Sequence, residues 1–220
     1  MPGPPPLPSI PMPAWIGARS GPPEPHEDKS GGGGTTAPAT VEHKYNDGIT
    51  IKGPQDFVDK TKAHLDNIAK TTTGDALLKS LGASGKMTTI VPTTGGNAAP
   101  PANWKGALAK DSELKWKDSS GTEHSIKGEG TGSDSTVKYN PDRTSIGSED
   151  WMKRPPEVGL AHELIHADDA AHGKMDGTSK DGIYNYERQA VGLDPYKDKE
   201  FTENKIRAEW DPKQPERPRY

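Results

Sequence analysis

The sequence predicts one α+β domain of roughly 170 residues behind a low-complexity leader. Two observations carry this. The candidate elements run in the order hairpin, helices, strands, one apolar helix and a last short helix, with no internal repeat. Residues 1–40 are rich in Pro and Gly, so the domain is expected over 41–220.

The elements follow in order. Seven prolines between Pro2 and Pro13 favour extended polyproline conformation, and Gly31 to Gly34 read as a hinge. Trp15 and Ile16 are the early bulky apolar pair. Val41 to Tyr45 and Ile49 to Lys52, separated by Asn46-Asp47-Gly48, read as a β-hairpin. Pro54 to about Lys70 carries Phe57, Val58, Ala63, Leu65, Ile68 and Ala69 at helical spacing. A second short helix, capped by Thr73, carries Ala76, Leu77, Leu78 and Leu81 and stops at Gly82. Met87 to Val91 reads as a strand and Leu114 to Lys117 as a weak one. Ser125 to Lys127 and Thr136 to Tyr139 are expected to pair with each other. Asn140-Pro141-Asp142 marks a turn. Pro155 and Pro156 suit the first turn of a helix with the apolar residues Val158, Leu160, Ala161, Leu164, Ile165 and Ala167, stopped at Gly173. A helical pattern from Tyr186 to Gly192 and a segment from Phe201 through Ile206 complete the domain.

Composition narrows the function classes. Only 29% of the 220 residues are hydrophobic, and there are 25 Gly and 22 Pro, so part of the chain is not expected to pack. The net charge of −4 gives no reason to expect nucleic acid as a partner. The absence of cysteine excludes disulfides and Cys-based metal sites. No apolar run approaches the roughly 18 residues that span a bilayer, and no standard signal peptide is visible. A monomer that acts on neither membrane nor nucleic acid is expected.

The chemistry centres on His162-Glu163-Leu164-Ile165-His166. In H-E-x-x-H, histidines four apart share one helix face and can reach one ion. The Glu163 carboxylate then lies where it can take a proton from metal-bound water. Zinc is the expected cofactor, with His162 and His166 as ligands and Glu163 as catalytic base.

Three residues compete to be the third ligand. His172 sits where a third histidine of H-E-x-x-H-x-x-G-x-x-H would fall. Residue 169 is Asp instead of Gly, however, and on an unbroken helix His172 lies about 120° from the face of His166. Asp181 lies in Gly177-Thr178-Ser179-Lys180-Asp181-Gly182-Ile183-Tyr184, which looks like the G-T-x-x-D-x-x-Y stretch of the aspzincins; it could equally be an Asp-Gly turn. Glu187 opens a second helical pattern, as in the gluzincin arrangement, or is a surface residue of a first helical turn.

Four pieces together resemble the NleD-like zinc metallopeptidase effectors of bacterial pathogens. They are H-E-L-I-H-A at 162–167, E-R-Q-A-V-G-L-D at 187–194, T-E-N-K-I-R-A-E at 202–209 and R-P-R-Y at 217–220. Fainter similarity reaches back to about residue 50. Residues 211–216 are extra before the last piece. The resemblance implies a zincin-like fold, one zinc, and Glu187 as the third ligand. It also implies a secreted endopeptidase acting on a host protein, with a mitogen-activated protein kinase as candidate substrate. A toxin aimed at a competing bacterium would fit the leader as well. Arg217 and Tyr220 are spaced R-x-x-Y, as in clostridial neurotoxin light chains. Arg217 is expected to steady the site or the oxyanion, and the Tyr220 hydroxyl to donate to the oxyanion.

Two function classes remain. An endopeptidase would take its substrate as an extended peptide, with Thr136 to Tyr139 as a candidate edge strand for strand addition. A binding module with a structural zinc would want four protein ligands, mostly Cys, and would have no use for Glu163. The sequence therefore favours the enzyme.

Overall fold

The structure, a computed structural model, describes residues 39–220. The leader expected over 1–40, with its Trp15–Ile16 pair, lies almost wholly outside the described residues.

The fold is α+β. Val41–Lys44 (β1) and Ile49–Gly53 (β2) form the expected antiparallel hairpin, and Asn46 Oδ1 accepts from the Gly48 amide in its turn. Gln55–Ile68 (α1) and Thr72–Ala83 (α2) follow. Thr71, not Thr73, caps α2: its hydroxyl accepts from Gly74 N at 3.0 Å. Thr73 instead donates to Glu209 at 2.6 Å. Thr88–Pro92 (β3) then pairs parallel with β2, which requires the helical crossover just made.

Trp104–Ala107 is a single helical turn (α3). Glu113–Lys117 (β4) and Glu123–Lys127 (β5) make a two-stranded ribbon. At the tip of the ribbon Asp118 accepts from Ser120 and Thr122 and pairs with His124. Ser135–Tyr139 (β6) pairs parallel with β3, not with β5 as the sequence led us to expect. Nor does β6 offer an open edge. Its outer side exchanges backbone hydrogen bonds with Ala98 and Pro100, so strand addition at Thr136 to Tyr139 is already taken by the chain itself. Pairing of distant strands leaves no local trace in sequence, because each strand shows only its own alternation.

The four-stranded sheet, ordered β1-β2-β3-β6, buries Ile49, Ile51, Ile90, Val137 and Tyr139. Against them pack Phe57, Val58, Leu65 and Ile68 of α1, Leu77, Leu78 and Leu81 of α2, and Leu160, Leu164 and Ile165 of Pro156–Ala171 (α4). Burial of a side chain of this size contributes roughly 1.5–3 kcal/mol, so α4 is held as a core element rather than a surface one. That fixes the frame of H-E-x-x-H. After α4 come Ser179–Lys180 (β7), Ile183–Tyr184 (β8), Asn185–Val191 (α5) and Glu203–Glu209 (α6). Gly192, at φ 87°, ends α5 in the left-handed conformation and directs the chain toward α6.

One consequence is measurable as pH-dependent stability. His64 of α1 is 2.6 Å from the Tyr139 hydroxyl, and its pKa is lowered chiefly by burial, against the pull of Glu157. Above pH about 6.5 the imidazole is neutral folded and unfolded alike. Below it, the unfolded chain takes up a proton that the folded chain resists, so stability falls with pH. Urea midpoints should drop between pH 7 and 5, and His64→Gln should flatten the drop. An equal slope in both proteins would rule His64 out as its source.

Candidate active site

The site is built on α4 and closed by α5, α6 and the C-terminal segment. His162 and His166 point from one face of α4, as their spacing requires. Their Nε2 atoms are 3.2 Å apart. Glu187, in the first turn of α5, brings Oε2 to 3.1 Å from His166 Nε2 and 3.5 Å from His162 Nε2. Four ligands at about 2.0–2.1 Å around a tetrahedral zinc stand about 3.3 Å from one another. The three donor atoms therefore have the separations a zinc needs, and the donor set of two imidazoles and a carboxylate suits it. Among the described residues this is the group of three whose ligand atoms converge in this way.

The two competing candidates lie elsewhere. Asp181 and Gly182 have φ values of 55° and 76° and form the two-residue turn between β7 and β8, the Asp-Gly hairpin signal. Asp181 is exposed and pairs loosely with Arg188. His172 caps the end of α4, its Nδ1 2.9 Å from Asp168 O. Asp169 stands where a helix-breaking glycine would have been needed; it is buried and ion-paired with Lys199, so the helix runs on past it. Zinc content should separate the three. We expect Glu187→Ala to lose the metal, while Asp181→Ala and His172→Ala keep one zinc per chain. Loss in either of the latter alone would displace Glu187 as ligand.

The carboxylates differ in ionisation. Burial is the largest influence on Glu163 and pushes its carboxyl above the ordinary range, only partly offset by His162 and His166. Burial acts the same way on Glu187, but the charges and hydrogen bonds of His166 and His162 outweigh it and hold Glu187 below that range. Two carboxyls pushed apart in this way suit a proton acceptor and a ligand respectively.

Behind the site lies a cluster that sequence reasoning did not single out. Glu203 of α6 is fully buried. Its Oε1 accepts from Arg154 Nη1 at 3.0 Å and Arg207 Nε at 2.7 Å, and its Oε2 from Arg217 Nη1 at 3.0 Å. Oε2 also lies 2.9 Å from His162 Nδ1, at an angle outside the normal hydrogen-bond range. A buried carboxylate this close to Nδ1 favours by charge the ring orientation that keeps Nδ1 turned toward it. The signal available in the sequence was the i,i+4 pair Glu203–Arg207 behind the Thr202 cap.

The R-x-x-Y segment is fastened down. Asn204 Nδ2 donates to Arg217 O at 3.0 Å, and Arg217 N donates to Asn204 Oδ1 at 2.8 Å. The Arg217 guanidinium serves Glu203 and lies over the Tyr220 ring at 4.5 Å. That ring stacks on His162, centroids 6.3 Å apart, and its hydroxyl is hydrogen-bonded to Glu187. Burial, then the Glu187 charge, pushes the Tyr220 pKa far up, so it stays a protonated donor. Tyr186, missed in the sequence, sets its ring edge-on to His166 at 5.8 Å.

With this geometry in hand, residues 45–220 match the peptidase M91 family of effector proteins. The chain belongs to that family. No curated protein sequence matches this M91 chain. Solved structures similar to it include two neurotoxin catalytic chains. The catalytic domain of Clostridium botulinum neurotoxin serotype F has a TM-score of 0.42 and 14% identity over 70% of this chain and 47% of that one. A second structure, the serotype F light chain, has a TM-score of 0.39 and 14% identity over 70% and 49%. The M91 chain thus spans about half the length of both. No helix among its described residues is long and apolar enough to cross a membrane.

Proposed function

We propose that this M91 peptidase is a zinc endopeptidase, secreted as an effector or toxin, that cuts a protein of the host or target cell. The observation that carries the reading is the convergence of His162, His166 and Glu187, with Glu163 buried beside them on the neighbouring edge of α4. Zinc held by the three would supply Lewis-acid activation, lowering the pKa of bound water to about 7. The remaining steps belong to the chain's own residues. Glu163, with its raised pKa, takes the proton of the attacking water and returns it to the leaving amide nitrogen. Tyr220, protonated and lying over His162, exchanges its bond to Glu187 for one to the developing oxyanion. Arg217 positions Tyr220 and braces Glu203. We place the catalytic unit at 41–220 and treat 1–40 as a leader.

The direct test maps new protein N-termini in a eukaryotic lysate treated with the enzyme, with chelator, and with zinc restored. A mitogen-activated protein kinase is the first candidate, on the strength of the four resembling motifs. New termini that are indifferent to chelation would sink the reading.

Tyr220→Phe supplies a narrower check. Removing one oxyanion donor typically costs about 10²–10³ in kcat. We expect a loss of that order with zinc content and thermal midpoint little changed. Wild-type turnover would return Tyr220 to a packing role.

A further inference from the structure

Four arginines stand around the site, and three are committed. Arg154, Arg207 and Arg217 all serve Glu203. Arg188 pairs with Asp181 and Arg219 with Glu149. Among the described residues, Arg143 is the arginine whose guanidinium has no carboxylate side chain at ion-pair distance. Its guanidinium is only partly buried, so it stays hydrated enough to remain charged and is open to an incoming anion.

Its placement is rigid. Asn140-Pro141-Asp142-Arg143 is a tight turn, closed by Arg143 N donating to Asn140 O at 3.3 Å. Asn140 N donates to Asn97 Oδ1 at 2.9 Å, and Asn140 Nδ2 reaches Thr94 O and Gly95 O, so the turn is locked to the loop after β3. The guanidinium lies on Gly96, where a side chain would meet Nη1 at 3.1 Å. Arg154 N donates to Thr144 O at 2.9 Å, which sets the two arginine positions side by side. Arg154 packs against Gly159, one helical turn before Glu163. Arg143 is thus carried to the general-base side of the site. Its guanidinium is subject to the charge of Glu163 and to Tyr220, and burial lowers its pKa without discharging it.

The local charge also favours an anion. The guanidinium of Arg154, already paired with Glu203, adds positive charge beside Arg143. This holds although the chain as a whole carries −4. A planar fork of donors beside such a site matches a carboxylate two hydrogen bonds at a time.

We propose that Arg143 is a specificity-determining residue that binds an acidic side chain of the substrate beside the bond to be cut. The inference rests on the peptidase reading above, and the test keeps the two apart. The zinc-loaded full chain carrying Glu163→Gln is probed on an array of random-sequence peptides, so that binding is read without turnover. Bound peptides should be enriched in Asp and Glu at one position. Adding Arg143→Gln should remove the preference and weaken capture of acidic peptides about ten- to a hundredfold. Adding Arg143→Lys should keep it in weaker form, and Arg143→Glu should invert it toward Lys and Arg. Zinc content and thermal midpoint on the same samples exclude misfolding. Identical residue preferences with and without Arg143 would overturn the proposal. Failure of the wild type to cut the captured peptides would count against the peptidase reading alone.

Discussion

Glu163→Gln is expected to lower kcat by about 10²–10⁴ while leaving one zinc per chain. The amide is isosteric with the carboxylate, so the packing around this side chain of α4 is kept. Its nitrogen cannot accept a proton, so the step lost is proton transfer from water. Glu163 is not one of the three residues whose donor atoms converge, so metal content should not move. The buried position sharpens the expectation: with the side chain about 97% hidden, bulk water cannot easily substitute as base. Zinc measured beside turnover is the decisive pair. Turnover within threefold of wild type would remove Glu163 from the mechanism. Loss of zinc together with activity would instead make it a ligand.

Glu203→Ala should be the most damaging single change to the fold. It leaves Arg154, Arg207 and Arg217 buried with their shared counter-charge gone. Breaking a buried pair by removing one partner costs about 3–5 kcal/mol, and three cations here share one anion. At about 2–4 °C per kcal/mol for a domain of this size, the thermal midpoint should fall by roughly 10 °C or more. Zinc affinity should fall about 10–100-fold, because His162 loses the group that orients its ring. Glu203→Gln keeps shape and acceptor but not charge, so it should fall between. A midpoint within 2 °C of wild type for Glu203→Ala would show that the arginines find other partners, and the cluster would lose its structural role.

The sequence was most legible where the chemistry is local. His162 and His166 needed only their i,i+4 spacing and the apolar residues around them, which also made α4 a core helix. The hairpin at 41–53 announced itself through Asn-Asp-Gly, and the Asp181–Gly182 turn was named as the bland alternative to a ligand. Glu187 was less legible: from the residues alone it competed with His172 and Asp181, and only resemblance favoured it. The parallel pairing of β6 with β3, and the cover of β6 by residues 98–101, were not readable, since neither leaves a local pattern. Glu203 and Arg143 were missed for a related reason. A glutamate and an arginine in polar stretches look solvated until the fold brings their surroundings together, and burial of a charge by distant partners has no signature in spacing.

The order of the proposed site residues along the chain sets a clock. His162 and His166 are made first; Glu187, Glu203, Arg217 and Tyr220 come after them. At about 5–20 residues per second, a chain emerging N-terminus first carries its two histidines for several seconds before the last of these arrives. Until Glu187 and then Glu203 follow, the imidazoles have neither the third donor nor the neighbouring carboxylate. The proposed centre therefore stays incomplete until the segment that carries Arg217 and Tyr220 has been made.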